Sequence, residues 1–108
     1  MAGFENLSPA DFTQLVESGE LWTLLDVREA WEVDTASVAG SVNIPMGEVP
    51  VRREEIDNQT PIAVLCHSGI RSARVAEYLV ASGAARVANI EGGIDAWSMT
   101  VDASIPRY

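Results

Sequence analysis

Apolar and polar positions divide the 108-residue chain into short strand-like runs and helical segments. Four runs are rich in apolar side chains, which is typical of strands covered on both faces of a sheet. They are residues 21–27 (LWTLLDV), 41–45 (SVNIP), 61–65 (PIAVL) and 86–90 (RVANI). The second run is the least apolar, so its strand signal is the weakest.

Helical signals lie between these runs. Ser8 is placed to cap a first helix, with Pro9 in its first position and Gly19 at its end. A second helix is predicted to begin at Ser72, which would cap it, and to end at Gly83. Residues 46–57 are mixed and acidic and predict one irregular helix, and a short helix is predicted over residues 94–99. Strands that alternate with helices predict an α/β fold with a mainly parallel sheet.

Length and composition predict one globular domain over residues 1–108. No repeat or flexible linker interrupts the chain, and 47% hydrophobic with 21% charged residues is an ordinary globular balance. One cysteine and one histidine form neither an internal disulfide nor a structural zinc site, so we expect no metal and no cofactor. No apolar run approaches the roughly 20 residues of a membrane span, and the first residues lack signal-peptide features. We therefore expect a cytoplasmic protein with no membrane partner.

The net charge of −9 comes from 16 acidic residues and 7 arginines. Nucleic-acid binding needs basic contacts to phosphate, so this balance argues against a nucleic-acid partner. Residues 1–57 hold 12 of the acidic residues and 3 of the arginines, whereas residues 58–108 hold 4 of each. We interpret the acidic half as a solubilising surface or a face for a basic partner.

The candidate chemistry lies in residues 66–72 (CHSGIRS), directly after the apolar run 61–65. In parallel sheets, ligands bind at the carboxyl ends of the strands. A glycine-containing turn that leads into a helix gathers backbone N–H groups and directs the positive end of the helix dipole at one point. Helix N-termini and nearby arginines favour the thiolate form of cysteine. The sequence therefore predicts that Cys66 is a thiolate near neutral pH.

A lone cysteine is more often simply a small buried apolar residue. Against that interpretation, residues 66–74 carry Arg71 and Arg74 and no carboxylate. An arginine in the first turn of a helix is unfavourable for the helix dipole unless an anion compensates it, which favours anion binding by Arg71. We interpret His67 as a residue of the pocket wall rather than an essential base, and Ser72 as a cap rather than a nucleophile.

Four stretches resemble, in order, the motifs of the rhodanese family of sulfurtransferases. They are residues 24–29 with Trp31 and Glu32 (the Asp-Val-Arg motif), residues 40–45 (GSVNIP), the loop Cys66-x-x-Gly69-x-Arg71-Ser72, and residues 89–97 (NIEGGIDAW). Together they cover most of the chain, which is similar throughout to a single rhodanese-like domain.

The resemblance implies a fold of about five mainly parallel strands flanked by helices, with the catalytic cysteine after the fourth strand. It implies that Cys66 takes the outer sulfur of an anionic donor such as thiosulfate, releases sulfite and holds a persulfide. Arg71 would bind the anionic group of the donor. The other substrate-binding positions are His67, Ser68, Gly69, Ile70 and Ser72, whose backbone N–H groups would stabilise negative charge.

The single cysteine predicts where the sulfur goes. With no second cysteine to resolve the persulfide, the sulfur must leave to an external acceptor, which is cyanide, a thiol or a sulfur-carrier protein. Residues 101–108 (VDASIPRY) resemble the ends of rhodanese domains appended to sulfur-carrier-activating enzymes, a short match that hints at the last of these acceptors.

Other positions have structural interpretations. Asp26 and Arg28 are interpreted as a charged pair that braces the loops near the site, with direct substrate contact by Arg28 as the lesser alternative. Residues 36–39 (ASVA) stand where many family members have Gly-His-Ile-Pro, so no role of that histidine is carried over. Met46 either lines the pocket or packs in the core. Turn and core roles are assigned to Gly92, Gly93 and Trp97.

Two rival functions are weighed against sulfur transfer. Cysteine phosphatases and arsenate reductases of related fold use a Cys-x5-Arg loop, whereas Cys66 and Arg71 have the spacing Cys-x4-Arg. The shorter loop makes a narrower cradle, which suits a sulfur atom better than a tetrahedral phosphate. A non-catalytic protein-binding module would be signalled by loss of the cysteine, which is present here. The sequence thus favours a thiosulfate sulfurtransferase of the rhodanese type.

Overall fold

The computed structural model describes residues 3–108 and has a five-stranded sheet at its centre. All neighbouring strands run parallel. The strands are Glu5–Leu7 (β1), Thr23–Asp26 (β2), Val42–Asn43 (β3), Ile62–Leu65 (β4) and Val87–Ile90 (β5), in the spatial order β1-β5-β4-β2-β3. The predicted α/β fold of about five mainly parallel strands is confirmed, and each of the four apolar runs contains a strand.

Four helices connect and flank these strands. They are Pro9–Glu17 (α1), Ala30–Thr35 (α2), Ile70–Ala81 (α3) and Gly93–Thr100 (α4), with 3₁₀ turns at Met46–Glu48 and Arg53–Glu55. None of the helices in residues 3–108 is long and apolar enough to cross a membrane. The prediction of one irregular helix over residues 46–57 is wrong, because that segment forms two separate 3₁₀ turns.

Each face of the sheet has its own apolar core. Along β4 and the residue after it, Ile62, Val64 and Cys66 belong to the core that packs on α3. Ala63 and Leu65 belong to the core that packs on α1 and α4. Successive side chains of a strand point to opposite faces, and this alternation continues past the end of β4. It turns the Cys66 side chain into the core, where the residue is only 1% exposed.

Helix α1 begins as the sequence predicts. Ser8 Oγ accepts a hydrogen bond from Asp11 N–H (3.1 Å), and Pro9 lies in the first turn. The helix buries Phe12, whose ring meets that of Trp97 edge-on with 5.9 Å between centroids. Trp97 is therefore a core residue, as interpreted from the sequence.

Helix α3 begins earlier than predicted. Its first residue is Ile70, and Gly69 caps it in the left-handed conformation, with φ of +103°. The prediction that Ser72 caps the helix is wrong, because Ser72 lies in the third helical position and its side chain is fully buried. Glycine adopts a positive φ with little steric cost, so the turn closes before Ser72 is reached.

The N-terminus of α4 holds the loop that follows β4. Ile94 N–H donates to the carbonyl oxygen of Cys66 (2.9 Å), and Asp95 N–H donates to that of His67 (3.1 Å). Gly93 permits this approach, because a Cβ at its position would lie 2.4 Å from both carbonyl oxygens. Two of the N–H groups that have no partner within α4 thus find one in the loop.

We expect Gly93→Ala to destabilise the fold by more than the roughly 1–2 kcal/mol that a left-handed backbone costs a residue with a Cβ. The added methyl group must also displace the loop. Urea unfolding measures the effect against two controls. Gly40→Ala isolates the backbone cost, since Gly40 has a φ of +83° and open space around its Cβ position, and Gly47→Ala has neither a positive φ nor a nearby atom. A Gly93→Ala variant no less stable than Gly40→Ala would contradict the close approach.

Candidate active site

The thiol of Cys66 lies between the loop backbone and the first turn of α3. Gly69 N–H donates a hydrogen bond to Cys66 Sγ (3.1 Å), and the thiol donates to Ser72 Oγ (3.2 Å). Of the backbone N–H groups that the sequence places around the sulfur, the structure gives that of Gly69 as hydrogen bonded to it. The first turn of α3 starts at the next residue, so the positive end of its dipole lies beside the sulfur.

A chain of polar side chains, buried as far as Asn89, leads from the thiol to one edge of the sheet. Ser72 Oγ donates to Asn89 Oδ1 (2.5 Å) on β5. Asn89 Nδ2 in turn donates to Asn6 Oδ1 (3.2 Å) on β1 and to the carbonyl oxygen of Gly69 (3.4 Å). These bonds tie the loop and α3 to the two strands at one edge of the sheet. The sequence places Asn89 in the closing motif but gives no sign that it contacts the loop.

Arg71 is paired with a carboxylate from another element. Its Nη1 and Nη2 donate to Glu32 Oε1 (2.7 Å) and Oε2 (2.8 Å). The Arg71 side chain is 32% exposed, whereas that of Glu32 is 5% exposed. The loop after β4 carries no carboxylate in its own sequence, and α2 supplies one. Arg71 keeps three further N–H groups that Glu32 does not occupy.

Glu32 is held by more than Arg71. Tyr108 Oη–H donates to Glu32 Oε2 (2.7 Å), and Glu29 N–H donates to Oε1 (3.1 Å). The hydrogen bonds from Arg71 lower the pKa of Glu32 to about 2, helped by those from Tyr108 and Glu29 and opposed by burial. The Glu32 carboxylate correspondingly raises the pKa of Arg71. Both groups are therefore charged at neutral pH.

Asp26 and Arg28 form a second ion pair, and both side chains are fully buried (2.6 Å). All five N–H groups of the guanidinium have acceptors within the protein. The acceptors are the Asp26 carboxylate, the carbonyl oxygens of Glu32 and Ala36, and Tyr108 Oη. Direct contact of Arg28 with a substrate would have to break one of these bonds. The bond to Ala36 also ties the start of residues 36–39, where the chain departs from the family motif, to Arg28.

Tyr108 connects the charged network to the loop. Its ring stacks on that of His67, with 4.2 Å between centroids and 13° between planes. The ring of Trp31 meets the Tyr108 ring edge-on, with 6.0 Å between centroids. The stacked Tyr108 ring thus fixes the orientation of the His67 imidazole. Sequence reasoning gave Tyr108 no role, because a tyrosine near the end of a polar tail carries no local signal of its contacts.

The remaining predicted positions fall on the surface or in the core. Ser68 and Ile70 are exposed on either side of Gly69. Met46 is half-buried against the core that contains Cys66, and it also lines a shallow apolar recess with Val75 and Tyr78. Met46 therefore packs on the core, and because none of residues 66–72 lines this recess, its place in the pocket of the site stays a prediction.

We expect Glu32→Gln to lower the free energy of unfolding at pH 7 by about 2 kcal/mol, because hydrogen bonds to a charged group are lost. A carboxyl whose pKa falls on folding stabilises the fold above its unfolded pKa, near 4.5, and loses that contribution as the pH falls through its folded pKa of about 2. Urea unfolding of wild type and variant should therefore differ at pH 7, less at pH 3–4, and hardly at all near pH 2.

Glu5→Gln is the control for this measurement. This substitution removes the Glu5 carboxylate, whose side chain is 43% exposed, from its ion pair with Arg86. Its effect on the free energy of unfolding should therefore stay below about 1 kcal/mol at every pH. A difference between wild type and Glu32→Gln that grows as the pH falls would contradict the assignment.

Comparison with known proteins identifies the family. The rhodanese-like domain model matches residues 8–100. YtwF of Bacillus subtilis, provisionally named a sulfurtransferase, is 37% identical over 93 residues, which are 86% of this chain and 89% of YtwF. A sulfurtransferase of Allochromatium vinosum is 35% identical over 75 residues, 69% of this chain and 70% of that protein. YrkF of Bacillus subtilis, provisionally named a sulfur carrier protein, is 39% identical over 87 residues, and the chain spans about half (47%) of its length.

A solved structure agrees with the sequence matches. The rhodanese-related protein from Thermoplasma volcanium superposes with a TM-score of 0.81 at 33% identity, over 91% of this chain and 94% of that one. From the family match, the relatives and the shared fold, the chain belongs to the rhodanese-like domain family.

Proposed function

We propose that this protein is a sulfurtransferase that carries sulfane sulfur on Cys66, taking it from a small anionic donor such as thiosulfate. The observation that carries the proposal is the position of Cys66 Sγ, which lies beside the N-terminus of α3 and accepts a hydrogen bond from Gly69 N–H. Backbone donors and a helix dipole favour a thiolate over a thiol. Relatives named as sulfurtransferases support the same reaction class.

The first half-reaction is a nucleophilic displacement at sulfur. The Cys66 thiolate attacks the outer sulfur of thiosulfate, a new S–S bond forms, and the old S–S bond breaks. The electron pair of that bond leaves with sulfite, so one thiolate and one dianion become one persulfide anion and one dianion. Gly69 N–H and the dipole of α3 stabilise negative charge on the cysteine side throughout, while Arg71 faces the donor with its free N–H groups.

The second half-reaction needs an acceptor from outside the domain. The chain has one cysteine, so no internal thiol can displace the terminal sulfur. An external nucleophile attacks that sulfur and Cys66 leaves as thiolate, with cyanide giving thiocyanate and a thiol giving its own persulfide. A sulfur-carrier protein is the acceptor class suggested by the name of YrkF. A reducing, cytoplasmic setting suits this cycle, because it keeps the single thiol of the chain from forming disulfides with other thiols.

Incubation of the wild-type protein with thiosulfate should add about 32 Da, the mass of one sulfur atom, to the intact protein. Cyanide should remove that mass and release thiocyanate. Cys66→Ser should show neither change, since a hydroxyl is a much weaker nucleophile at neutral pH. Intact-mass spectrometry measures all three results. An unchanged wild-type mass together with phosphate release from an aryl phosphate would instead support a phosphatase.

A further inference from the structure

We propose that Glu32 sets the charge selectivity of the reaction, by neutralising Arg71 and so disfavouring dianionic sulfur donors relative to donors of lower charge. This inference rests on the sulfur transfer proposed above. It assigns Glu32 a function beyond holding Arg71 in place, and it names the preferred donors as monoanionic or neutral sulfane compounds, such as organic thiosulfonates and persulfides.

Glu32 neutralises the charge of Arg71 but leaves part of the Arg71 side chain open to solvent. Two Arg71 N–H groups point at the Glu32 carboxylate, at 2.7 and 2.8 Å, and three remain free. The Arg71 side chain is 32% exposed, so a donor can still reach it. What the donor meets, however, is an ion pair of no net charge and not an isolated cation.

The carboxylate of Glu32 is a permanent partner. Its side chain is 5% exposed, and Tyr108 and the Glu29 backbone hold it in addition to Arg71. A donor arriving from solvent would have to displace a buried carboxylate from a two-point contact in order to bind Arg71 with the same geometry. Such paired, buried charges are costly to separate, because each is left without its partner in a poorly solvated place.

The second arginine of the charged network, Arg28, does not supply the missing cation. Arg28 is cancelled by Asp26, and its N–H groups are all occupied. Arg71 lies close enough to the sulfur for a charge on Cys66 to raise its pKa, although less than the contact with Glu32 does. The Cys66 thiolate therefore faces the donor across a neutral pair. The repulsive energy between donor and thiolate is proportional to the charge of the donor, so it is twice as large for a dianion as for a monoanion.

The test compares thiosulfate, a dianion, with methanethiosulfonate, a monoanion that transfers the same sulfur and releases methanesulfinate. Glu32→Gln removes one negative charge and leaves Arg71 as a net cation. The second-order rate constant for persulfide formation at fixed ionic strength should rise about tenfold with thiosulfate. With methanethiosulfonate it should rise only about threefold, since the electrostatic energy halves with the charge. Intact mass and sulfite or sulfinate release give the rates.

Three variants separate charge from structure. Glu32→Asp keeps the charge and should keep the wild-type ratio of the two rate constants. Arg71→Ala combined with Glu32→Gln removes both charges, so the ratio should return to that of wild type. Glu5→Gln removes a carboxylate from the exposed pair with Arg86 and should also leave the ratio unchanged. A Glu32→Gln variant that loses activity equally with both donors would overturn the proposal and reduce Glu32 to a support for Arg71.

The wild-type protein provides an independent measurement if Glu32→Gln folds poorly. Salt screens the attraction of thiosulfate to a free cation. If the site carried a net positive charge, the rate constant for persulfide formation from thiosulfate would therefore fall as the ionic strength increases. The neutral pair predicts a rate constant that stays level or rises with salt, and a steep fall would overturn the proposal.

Failure of the sulfur transfer itself gives a different result. In that case the wild-type protein gains no mass from either donor at any salt concentration, which overturns both proposals together.

Discussion

The contact between the start of α4 and the loop after β4 is the one on which the site depends. Two N–H groups of α4 bind the carbonyl oxygens of Cys66 and His67, and only a residue without a Cβ, Gly93, fits at the point of approach. Once these two peptide units are fixed, the loop has little freedom left, and the next turn brings Gly69 N–H onto the sulfur. The helix that completes the fold is therefore also the support that shapes the loop around Cys66.

A protein with a net charge of −9 places four of its charges in this region as two compensated pairs. Buried charges are stable when they are paired and hydrogen bonded, and otherwise costly. Tyr108 joins the pairs, since its hydroxyl accepts from Arg28 and donates to Glu32. Within residues 3–108 no buried side-chain nitrogen or oxygen lacks a hydrogen-bond partner. The site gains rigidity from this network and gives up the positive potential that an unpaired arginine would create.

The parts of the fold that could be predicted from the sequence are those with a strong local signal. Strands β4 and β5 are buried on both faces and therefore read as apolar runs. Strand β1 escaped prediction because its three residues are largely exposed at the sheet edge, and α2 because its one buried residue is the polar Glu32. Glu32 and Arg71 are 39 positions apart, so their pairing leaves no pattern in either segment. The residues around Cys66 predict a reactive thiol from local chemistry, but they do not predict the carboxylate that offsets the charge of Arg71.

The position of Tyr108 has a consequence for the order in which the molecule is assembled. Its partners Arg28 and Glu32 lie 80 and 76 residues earlier, and β1 pairs with β5 across a similar separation. Contacts between residues so far apart in the sequence form late in folding, because closing the long intervening chain costs conformational entropy. A nascent chain can therefore hold β2, β3 and β4 together while Arg28 and Glu32 still lack the tyrosine hydroxyl. The thiol exists from the moment Cys66 is synthesised, but its surroundings are completed only when both ends of the domain have met.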